Sequence, residues 1–397
     1  MYDRHLAPVL KAQASNMPVV TLIGPRQSGK TTLVRHVLPN HRYLSLERPD
    51  IRQAALDDPL SFLDDLKQDD VILDEVQRVP NLLSYIQVEL DERPRPGRFI
   101  LTGSQNLLLM QGVSQSLAGR TSVLKLLPLS VAELLGRPLV GAADLLEQTP
   151  APPPDQERWE MIWRGFYPRI HDQGLDPVRW LADYQRTYVE RDLRDILRVM
   201  DLDGFERFVR LTAARTGTEL NLADLAQDAG ISQPTARSWL TALRVGSLVV
   251  LLQPHHQSFR KRLRKRPKLH FVDTGLVCYL LGIHSPGVLA SHPLRGAIFE
   301  TYVVAEMLKA MEHAGREPTL FHWRDATGHE IDLIVDLGAS LIPLEVKAGR
   351  TVASDALDDL RWWTGLGGNP TRGGLLVHGG LQRQSRHGFV ILPWYLG

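Results

Sequence analysis

The sequence predicts an α/β protein made of three successive parts: a parallel β-sheet flanked by helices, a helical and winged-helix region, and a C-terminal α/β part. Three observations lead to this prediction. Short β-branched and aliphatic runs alternate with helical stretches over the first third of the chain. Two helical patterns joined by a tight turn occupy the middle, and alternating apolar and polar runs return near the carboxyl end.

Five runs in the first part have the composition of strands in a parallel sheet. They lie at residues 19–23, 41–46, 71–74, 98–102 and 121–126. Stretches with helical character separate them, among them residues 59–66 and 80–90. The alternation predicts an α/β core for this part of the chain.

A glycine-containing loop follows the first strand and has the spacing of a P-loop. It consists of Gly24, Pro25, Arg26, Gln27, Ser28, Gly29, Lys30 and Thr31. In such a loop the backbone N–H groups curl around the phosphates of ATP, while Lys30 reaches the β/γ-phosphates and Thr31 binds Mg²⁺. A helix from Thr32 to residue 38 would direct its N-terminal dipole at the same phosphates. ATP and Mg²⁺ are therefore the predicted cofactors.

Carboxylates and hydroxyls follow the next two apolar strands of this part. Asp74 and Glu75 come at the end of one strand, on the side where parallel sheets bind ligands. We expect Asp74 to hold the Mg²⁺ shell and Glu75 to orient and deprotonate the attacking water. Thr102 or Ser104, at the end of the next strand, would then lie between the other two strands and sense the γ-phosphate.

Arg120, just before the fifth strand, is the nearest downstream candidate for a transition-state arginine. It would act in its own chain or on a neighbouring subunit, and a solvated arginine before a strand is the alternative. The residues at the strand ends resemble the AAA+ branch of P-loop ATPases. More narrowly, they resemble a prokaryotic family of AAA ATPases whose C-terminal half is a domain of unknown function. The resemblance covers almost the whole chain and implies nucleotide binding, but it leaves the biological task open.

The predicted boundaries divide the chain into four segments. They are an ATPase domain at residues 1–136, a proline-rich linker at 137–157, a helical and winged-helix region at 158–290 and a C-terminal domain at 291–397. Prolines among small residues predict an extended linker. The aromatic residues that follow recur at helical spacing, which indicates packing more than a site.

Residues 220–229 and 233–245 have the spacing of a helix-turn-helix, with Ser232 as the cap of the second helix. Strands at 248–252 and 268–272 would form a wing. The region 229–272 contains nine Lys or Arg residues and no Asp or Glu. Six of these cations lie close together at the tip of the wing: Arg260, Lys261, Arg262, Arg264, Lys265 and Arg266. This favours DNA as a partner; a solvated loop or a protein-docking module is the alternative.

Charged residues in the C-terminal part suggest a second site. Asp332 lies inside one predicted strand, and Glu345 and Lys347 lie at the end of the next. In a hairpin the three side chains would project from one face. Two carboxylates and a lysine can hold one or two Mg²⁺ ions and activate water against a phosphodiester, and Glu300 on the preceding predicted helix would complete the site.

This second constellation resembles the PD-(D/E)xK nuclease fold over residues 295–392. The resemblance implies that Asp332 is the aspartate of the first motif, that Glu345 and Lys347 form the E-x-K, and that Glu300 is the helical acid. The chain departs from the pattern at the proline, where Ile331 stands. A decayed nuclease or a surface ion pair is the alternative.

Composition limits the remaining choices. The chain has 397 residues with 46 Lys+Arg against 45 Asp+Glu, so a nucleic acid must be bound by a local patch. Cys278 is the single cysteine, which excludes an internal disulfide and fits a reducing compartment, and we expect a cytoplasmic location. No stretch of the sequence has the ~18 apolar residues of a membrane span, so no membrane partner is expected.

The function that these patterns favour is a Mg²⁺-dependent ATPase coupled to DNA binding and to metal-dependent DNA cleavage. One alternative is a nucleotide switch whose C-terminal half binds DNA or a protein without cutting. A hexameric AAA+ motor would need a subunit-bridging arginine and pore loops that the sequence does not identify. A homo-oligomer or a protein partner fits each of these functions.

Overall fold

A computed structural model describes residues 2–104, 116–148, 151–152, 157–189, 201–255, 266–366, 371 and 373–396. The strands of its first sheet are β1 (Val19–Gly24), β2 (Arg42–Ser45), β3 (Val71–Asp74), β4 (Phe99–Ser104) and β5 (Thr121–Lys125). All are parallel, in the order β2-β3-β4-β1-β5. The five predicted strands are confirmed, and β4 lies between β1 and β3 as expected.

Helices cover both faces of the first sheet. They are α1 (Leu6–Asn16), α2 (Lys30–Val37), α3 (Pro49–Asp57), α4 (Pro59–Asp64) and α5 (Leu82–Glu92), with a 3₁₀ turn at Val76–Arg78. Leu10 and Val34 of α1 and α2 pack on one face, and Leu63 and Ile86 of α4 and α5 belong to the core on the other. Because both faces are covered, the carboxyl edge of the strands is left to bind ligands.

Short helices connect this sheet to the middle of the chain. They are α6 (Val131–Leu134), α7 (Ala142–Leu145), α8 (Arg158–Arg164), α9 (Pro168–Asp172) and α10 (Pro177–Tyr184), which continues into a π-helical turn at Gln185–Val189. α7 lies inside the segment predicted to be an extended linker, and its Leu145 is fully buried. The segment differs from that prediction because its apolar residues find partners in the neighbouring core.

The helix-turn-helix is confirmed. Its elements are α11 (Leu202–Ala213), α12 (Leu222–Ala229) and α13 (Gln233–Val245). The Ser232 hydroxyl accepts a hydrogen bond from the Thr235 N–H at 3.2 Å and so caps α13. Trp239 of α13 packs edge-on against Phe205 and Phe208 of α11, which fixes the angle between these helices.

A second sheet joins the middle of the chain to its carboxyl end. Its strands are β6 (Thr218–Glu219), β7 (Val249–Pro254), β8 (Lys268–Phe271), β9 (Leu320–Arg324), β10 (Glu330–Asp336), β11 (Leu341–Lys347), β12 (Leu375–His378), β13 (Gln384–Arg386) and β14 (Phe389–Pro393). The order is β13-β14-β12-β11-β10-β9-β7-β8-β6. β7 and β8 pair antiparallel as the predicted wing, and β7 also pairs parallel with β9. The sheet therefore continues across the boundary predicted at residue 290.

The remaining helices are α14 (Thr274–Leu280), α15 (Pro286–Ser291), α16 (Arg295–His313) and α17 (Asp358–Gly365). One hydrophobic cluster includes residues from Leu127 to Leu396, so the middle and C-terminal parts share a core. Wing-tip residues 256–265, which include most of the predicted DNA-binding cations, lie outside the described residues. Within the described ranges, no helix combines the length and the apolar character needed to cross a membrane.

Candidate functional site

The P-loop backbone has a shape that requires glycine at its two ends. Gly24 has a φ of 150°, and a Cβ atom there would lie 2.1 Å from the Leu126 carbonyl oxygen. Gly29 has a φ of 95° and directly precedes α2. Both residues therefore let the chain turn tightly from β1 into α2 and present its N–H groups at the helix N-terminus.

Lys30 is buried at the start of α2. Its ammonium donates hydrogen bonds to the carbonyl oxygens of Gly24 at 3.0 Å and Pro25 at 2.9 Å. Burial lowers its pKa to about 8, against the opposing effect of Glu75 and Asp74. The cation is thus held inside the loop, where the phosphates of a nucleotide would meet it.

The Asp74 carboxylate accepts hydrogen bonds from hydroxyl groups on three different elements. Thr31 Oγ1 lies 3.1 and 3.2 Å from its two carboxylate oxygens, the Tyr43 hydroxyl donates at 2.7 Å, and the Thr102 hydroxyl also donates. Thr102 thus lies on the strand between β1 and β3, as predicted, and its role toward the γ-phosphate stays a prediction. The side chain of Ser104 is outside the described set. Sequence reasoning missed Tyr43, because a tyrosine in an edge strand has the pattern of a packing residue.

Thr31 and Asp74 fit a Mg²⁺ ion by their chemistry. Hydroxyl and carboxylate oxygens are the ligands that this hard cation prefers, usually together with waters and substrate phosphates. The hydrogen-bond donors around Asp74 are neutral hydroxyls, and within the described ranges no Lys, Arg or His side chain forms an ion pair with it. These two residues would hold the ion that the sequence predicts.

Glu75 follows β3 in a left-handed conformation, with a φ of 58°. This conformation is uncommon for a residue with a side chain and is found at active sites more than elsewhere. Burial raises the pKa of its carboxyl, although Lys30 opposes the effect, and Gln77 donates a hydrogen bond to it. The position and the raised pKa suit a base that activates water.

A cavity of about 750 Å³ adjoins the P-loop. Its walls include six of the predicted nucleotide-binding residues: Arg26, Gln27, Gly29, Lys30, Thr31 and Thr32. Glu75 lines it as well, while Tyr2 and Pro8 come from the amino end of the chain. Pro168 and Arg169 of α9 form part of the wall. The middle of the chain therefore contributes to the nucleotide cavity, which local motifs did not reveal.

Arg120 does not reach this cavity. It precedes β5 and therefore lies at the amino edge of the parallel sheet, a strand length of about 17 Å from the P-loop edge. Its guanidinium pairs with Asp91 at 2.6 Å. The prediction that Arg120 acts in its own nucleotide site is therefore wrong for the chain as it is folded here. The geometry leaves action on a neighbouring subunit as an untested prediction.

A buried carboxylate, Glu133, links the P-loop region to the C-terminal part. Its Oε1 accepts from the His5 N–H at 2.8 Å and lies 3.1 Å from Arg4 Nε and 3.3 Å from His313 Nδ1. Its Oε2 accepts from the Ser130 N–H at 3.0 Å. Burial would raise the pKa of this carboxyl, but His313 and Arg4 hold it well below its usual range.

Arg4 extends this network to the P-loop itself. Its guanidinium donates to the carbonyl oxygens of Ser28 at 2.6 Å and Leu127 at 2.7 Å. His313, at the end of α16, accepts at Nε2 from the Leu127 N–H at 3.3 Å. A continuous set of buried contacts thus runs from the P-loop backbone through Arg4 and Glu133 to α16. We refer to Arg4, Glu133 and His313 as the buried relay.

α16 carries the predicted residue Glu300 to the second sheet, about 20 Å from the relay at a rise of 1.5 Å per residue. There, Lys268 of β8 lies among three carboxylates. Its Nζ is 3.0 Å from Glu300 and 3.4 Å from Asp332, and it also pairs with Glu330. Burial would lower the pKa of Lys268, but the three carboxylates raise it. Sequence reasoning missed Lys268 in this role because it belongs to the wing and is far away along the chain.

The other two predicted residues lie beside this cluster. Asp332 accepts from the Val346 N–H at 2.9 Å, and Lys347 donates to Glu345 at 2.9 Å. Burial and then Asp332 raise the pKa of Glu345 well above its usual range. The structure therefore brings together the predicted residues Glu300, Asp332, Glu345 and Lys347. The buried Lys268 lies between Glu300 and Asp332.

These carboxylates do not fit a Mg²⁺ ion as they are arranged. The Lys268 ammonium takes the place among Glu300, Glu330 and Asp332 that a cation would need. In the part of the chain that is described, no group of three or more His, Cys, Asp or Glu side chains has the arrangement of a metal site. A divalent ion would have to displace Lys268 first.

Comparison with known proteins gives matches over most of the chain. Residues 16–135 match a family model described as AAA domain, which supports ATP binding and hydrolysis. Residues 155–287 and 295–396 match two models described as Domain of unknown function, DUF8612 and DUF4143.

Two relatives and one solved structure illustrate the similarity. Uncharacterized protein Rv2008c of Mycobacterium tuberculosis is 32% identical over 351 residues, 88% of this chain and 74% of the relative, and Uncharacterized protein Mb2031c of Mycobacterium bovis matches equally. A Walker-type ATPase of Pyrococcus abyssi is 15% identical, with a TM-score of 0.41 over 70% of this chain and 96% of that one.

The pKa of Lys30 predicts how ATP affinity depends on pH. The phosphates of ATP favour the ammonium and would raise this pKa above its value of about 8 in the free protein. Below that value Lys30 is charged with and without ATP. Above it, binding takes up a proton, so the affinity falls by up to about tenfold per pH unit. The γ-phosphate, with a pKa near ~6, is already ionised in this range.

Titration calorimetry between about pH 7 and pH 9.5, in two buffers of different ionisation enthalpy, measures that proton uptake. We expect none at the lower pH and close to one proton at the higher pH. An affinity that is independent of pH, with no proton uptake, would show that Lys30 does not meet the phosphates.

Proposed function

Because this chain belongs to the family of ATPases in which an AAA domain precedes the C-terminal domain of unknown function DUF4143, we propose that its nucleotide state controls DNA binding by its C-terminal half. In this proposal ATP and Mg²⁺ bind at the P-loop, and hydrolysis resets the molecule. The observation that carries the proposal is the buried relay, which joins the P-loop backbone to α16.

The proposed hydrolytic chemistry uses residues at the carboxyl edge of the first sheet. The P-loop N–H groups and Lys30 hold the phosphates, and Glu75 takes a proton from the attacking water. Mg²⁺, held by Thr31 and Asp74, would neutralise charge on the phosphates. Arg169 lines the same cavity from α9, so it would sense the nucleotide from the middle of the chain.

The proposed DNA contact is made by the helix-turn-helix and its wing. Gln233, Arg237, Ser238 and Arg244 are exposed along α13, whose apolar side packs on α11. An exposed helix with polar and cationic side chains at its start suits the major groove and the adjacent phosphates. The run of cations predicted for the wing tip supports DNA binding through its charge in the sequence.

Two variants of the ATP site test the proposed switch. Lys30→Ala should lose ATP binding and turnover, since it removes the cation that the loop holds for the phosphates. Glu75→Gln should keep ATP bound but unhydrolysed, because it removes the base and leaves Asp74 and Thr31 in place. Fluorescence anisotropy with a DNA duplex, in the presence of ATP, then compares the two states. We expect their DNA affinities to differ by roughly 5- to 150-fold, the usual range of coupling between sites.

The hydrolysis assay and the DNA-binding assay test different parts of the proposal. Hydrolysis at the parent rate in Lys30→Ala would contradict the ATPase assignment. Equal DNA affinity of ATP-bound Glu75→Gln and ATP-free Lys30→Ala would contradict the switch and leave the ATPase in place. The parent protein without nucleotide is the reference for both.

Metal-dependent DNA cleavage is the second candidate function. The observation that favours it is the proximity of Asp332, Glu345 and Lys347, with Glu300 on the adjoining helix. Lys268 tells against cleavage, since its ammonium occupies the carboxylate cluster. Cleavage would therefore require the wing strand that carries Lys268 to move away.

Removing Lys268 tests this candidate. The measurements use the Lys30→Ala background, in which the nucleotide site is disabled. There, Lys268→Met should leave the buried carboxylates without a cation. Mg²⁺ should therefore raise the melting temperature of the Lys30→Ala/Lys268→Met protein by several degrees more than that of Lys30→Ala alone. Nicking of supercoiled DNA should appear in Lys268→Met and disappear when Asp332→Asn is added. Lys67→Met, which removes an exposed lysine, is the matched control. If Mg²⁺ has no effect on Lys268→Met and no DNA is nicked, the cluster is structural and cleavage is excluded.

A further inference from the structure

A cavity of about 410 Å³ lies where three neighbouring parallel strands end in the second sheet. β11, β12 and β14 pair parallel, and the residues that follow each of them line the cavity: Arg350, Gly379 and Trp394. Carboxyl ends of parallel strands are the usual place for ligands in α/β sheets. No step of the proposed ATPase cycle uses this cavity.

Arg158 of α8 forms one wall and is only partly satisfied. Its guanidinium donates to the Gly379 carbonyl oxygen and lies 4.6 Å from the centre of the Trp159 ring. Its Nε is buried without a hydrogen-bond partner among the described residues. Burial, and then the repulsion of Arg350, lower the pKa of Arg158 to about 10. The Arg158 side chain is therefore a cation fixed at the cavity wall by the Gly379 carbonyl oxygen and the Trp159 ring.

The two arginines carry more charge than their neighbours balance. Arg350 is exposed, and it pairs at 3.9 Å with the equally exposed Glu157, which also lines the cavity. Such an exposed pair contributes little. His378 is held by the backbone: its Nδ1 lies 3.1 Å from the Arg350 carbonyl oxygen and 3.2 Å from the Gly380 N–H, and its Nε2 lies 3.0 Å from the Gln382 carbonyl oxygen. It holds the loop that forms the cavity floor.

We propose that this cavity binds a phosphate group of a DNA strand, with Arg158 and Arg350 as its ligands. Guanidinium groups match the planar, bidentate geometry of phosphate oxygens better than other side chains do. Gly379 makes room for Arg158 at the cavity wall, since a Cβ atom there would overlap the Arg158 guanidinium and lie 2.4 Å from the Ala348 carbonyl oxygen.

The position of the cavity adds to the argument. The Gly379 N–H donates to the carbonyl oxygen of Lys347 at 3.1 Å, so the cavity adjoins the end of the strand that carries Glu345 and Lys347. Arg158 also lines a second cavity of about 340 Å³ together with Arg295. A strand bound in the first cavity would therefore pass the carboxylate cluster. This inference rests on the proposed DNA binding and places one of its contacts.

The test compares the double variant Arg158→Met/Arg350→Gln with Arg361→Met. Arg361 is a surface arginine of α17 that pairs with Asp358 at 2.8 Å and lies outside the cavity. Binding of a fluorescent duplex is measured across a salt series. Losing two phosphate contacts should lower the log–log salt slope by about 1.8 and weaken binding at low salt by about tenfold or more. The control should keep the parent slope.

A second arm uses inorganic phosphate and needs no DNA. Millimolar phosphate should raise the melting temperature of the parent and of Arg361→Met by more than that of the double variant. Any phosphate bound at the P-loop contributes equally to all three proteins, so the difference reports the cavity. The single variant Arg350→Gln is a control for misfolding, because the exposed Arg350 side chain is not part of the core. Its salt slope should fall by about half as much as that of the double variant.

The outcomes are separable. A folded double variant with the parent salt slope would overturn the inference while leaving DNA binding by the chain intact. If the parent binds no DNA, the proposed function fails. The phosphate arm then decides alone whether the cavity is a phosphate site, and an equal temperature shift in the double variant and the control would overturn it.

Discussion

The negative charge of Glu133 is the constraint on which the rest of the structure depends. Its side chain has no solvent exposure, and an isolated carboxylate in that position would cost several kcal/mol. The chain satisfies it from four directions, with Arg4, the His5 N–H, the Ser130 N–H and His313. Since these groups come from the amino end, from α6 and from α16, the charge fixes the first sheet against the helix that enters the second.

The two acidic sites of the molecule differ in how their charge is balanced. Asp74 is surrounded by neutral hydroxyl donors, so its charge is available to a cation that arrives with a nucleotide. Asp332 has Lys268 within 3.4 Å, an internal cation supplied by the wing. The first arrangement suits a metal that comes and goes with substrate, and the second suits a cluster held closed. This contrast favours the proposed switch over cleavage in the arrangement described.

Local patterns were enough to predict much of the fold. The strands of the first sheet, the P-loop turn and the helix-turn-helix each depend on residues close together in sequence, such as Gly24 or the cap at Ser232. The sequence also predicts the position of Arg120, because a residue that directly precedes a strand of a parallel sheet lies at the amino edge of that sheet. The prolines around α7 predict an extended linker, but the apolar side chain of Leu145 is fully buried in the neighbouring core and stabilises a helix there.

The cluster around Lys268 and the network around Glu133 depend on contacts between distant parts of the chain. Lys268 reaches Asp332 across 64 positions, and Glu133 reaches His313 across 180. No periodicity or spacing marks such pairs. A weak signal existed for Glu133, which with Ser130 forms the S-x-x-E pattern of a capping box, as the structure confirms. That pattern predicts a helix start but not a link between an ATP site and a remote helix.

Amide hydrogen exchange in α16 tests most directly whether ATP at the P-loop acts through the buried relay. The measurement uses Glu75→Gln protein with and without ATP and Mg²⁺, and the same protein carrying Glu133→Gln. We predict that ATP changes exchange in α2 in both proteins, but changes exchange near His313 only when Glu133 is intact. Exchange in α16 that is the same with and without ATP, while α2 responds, would contradict it.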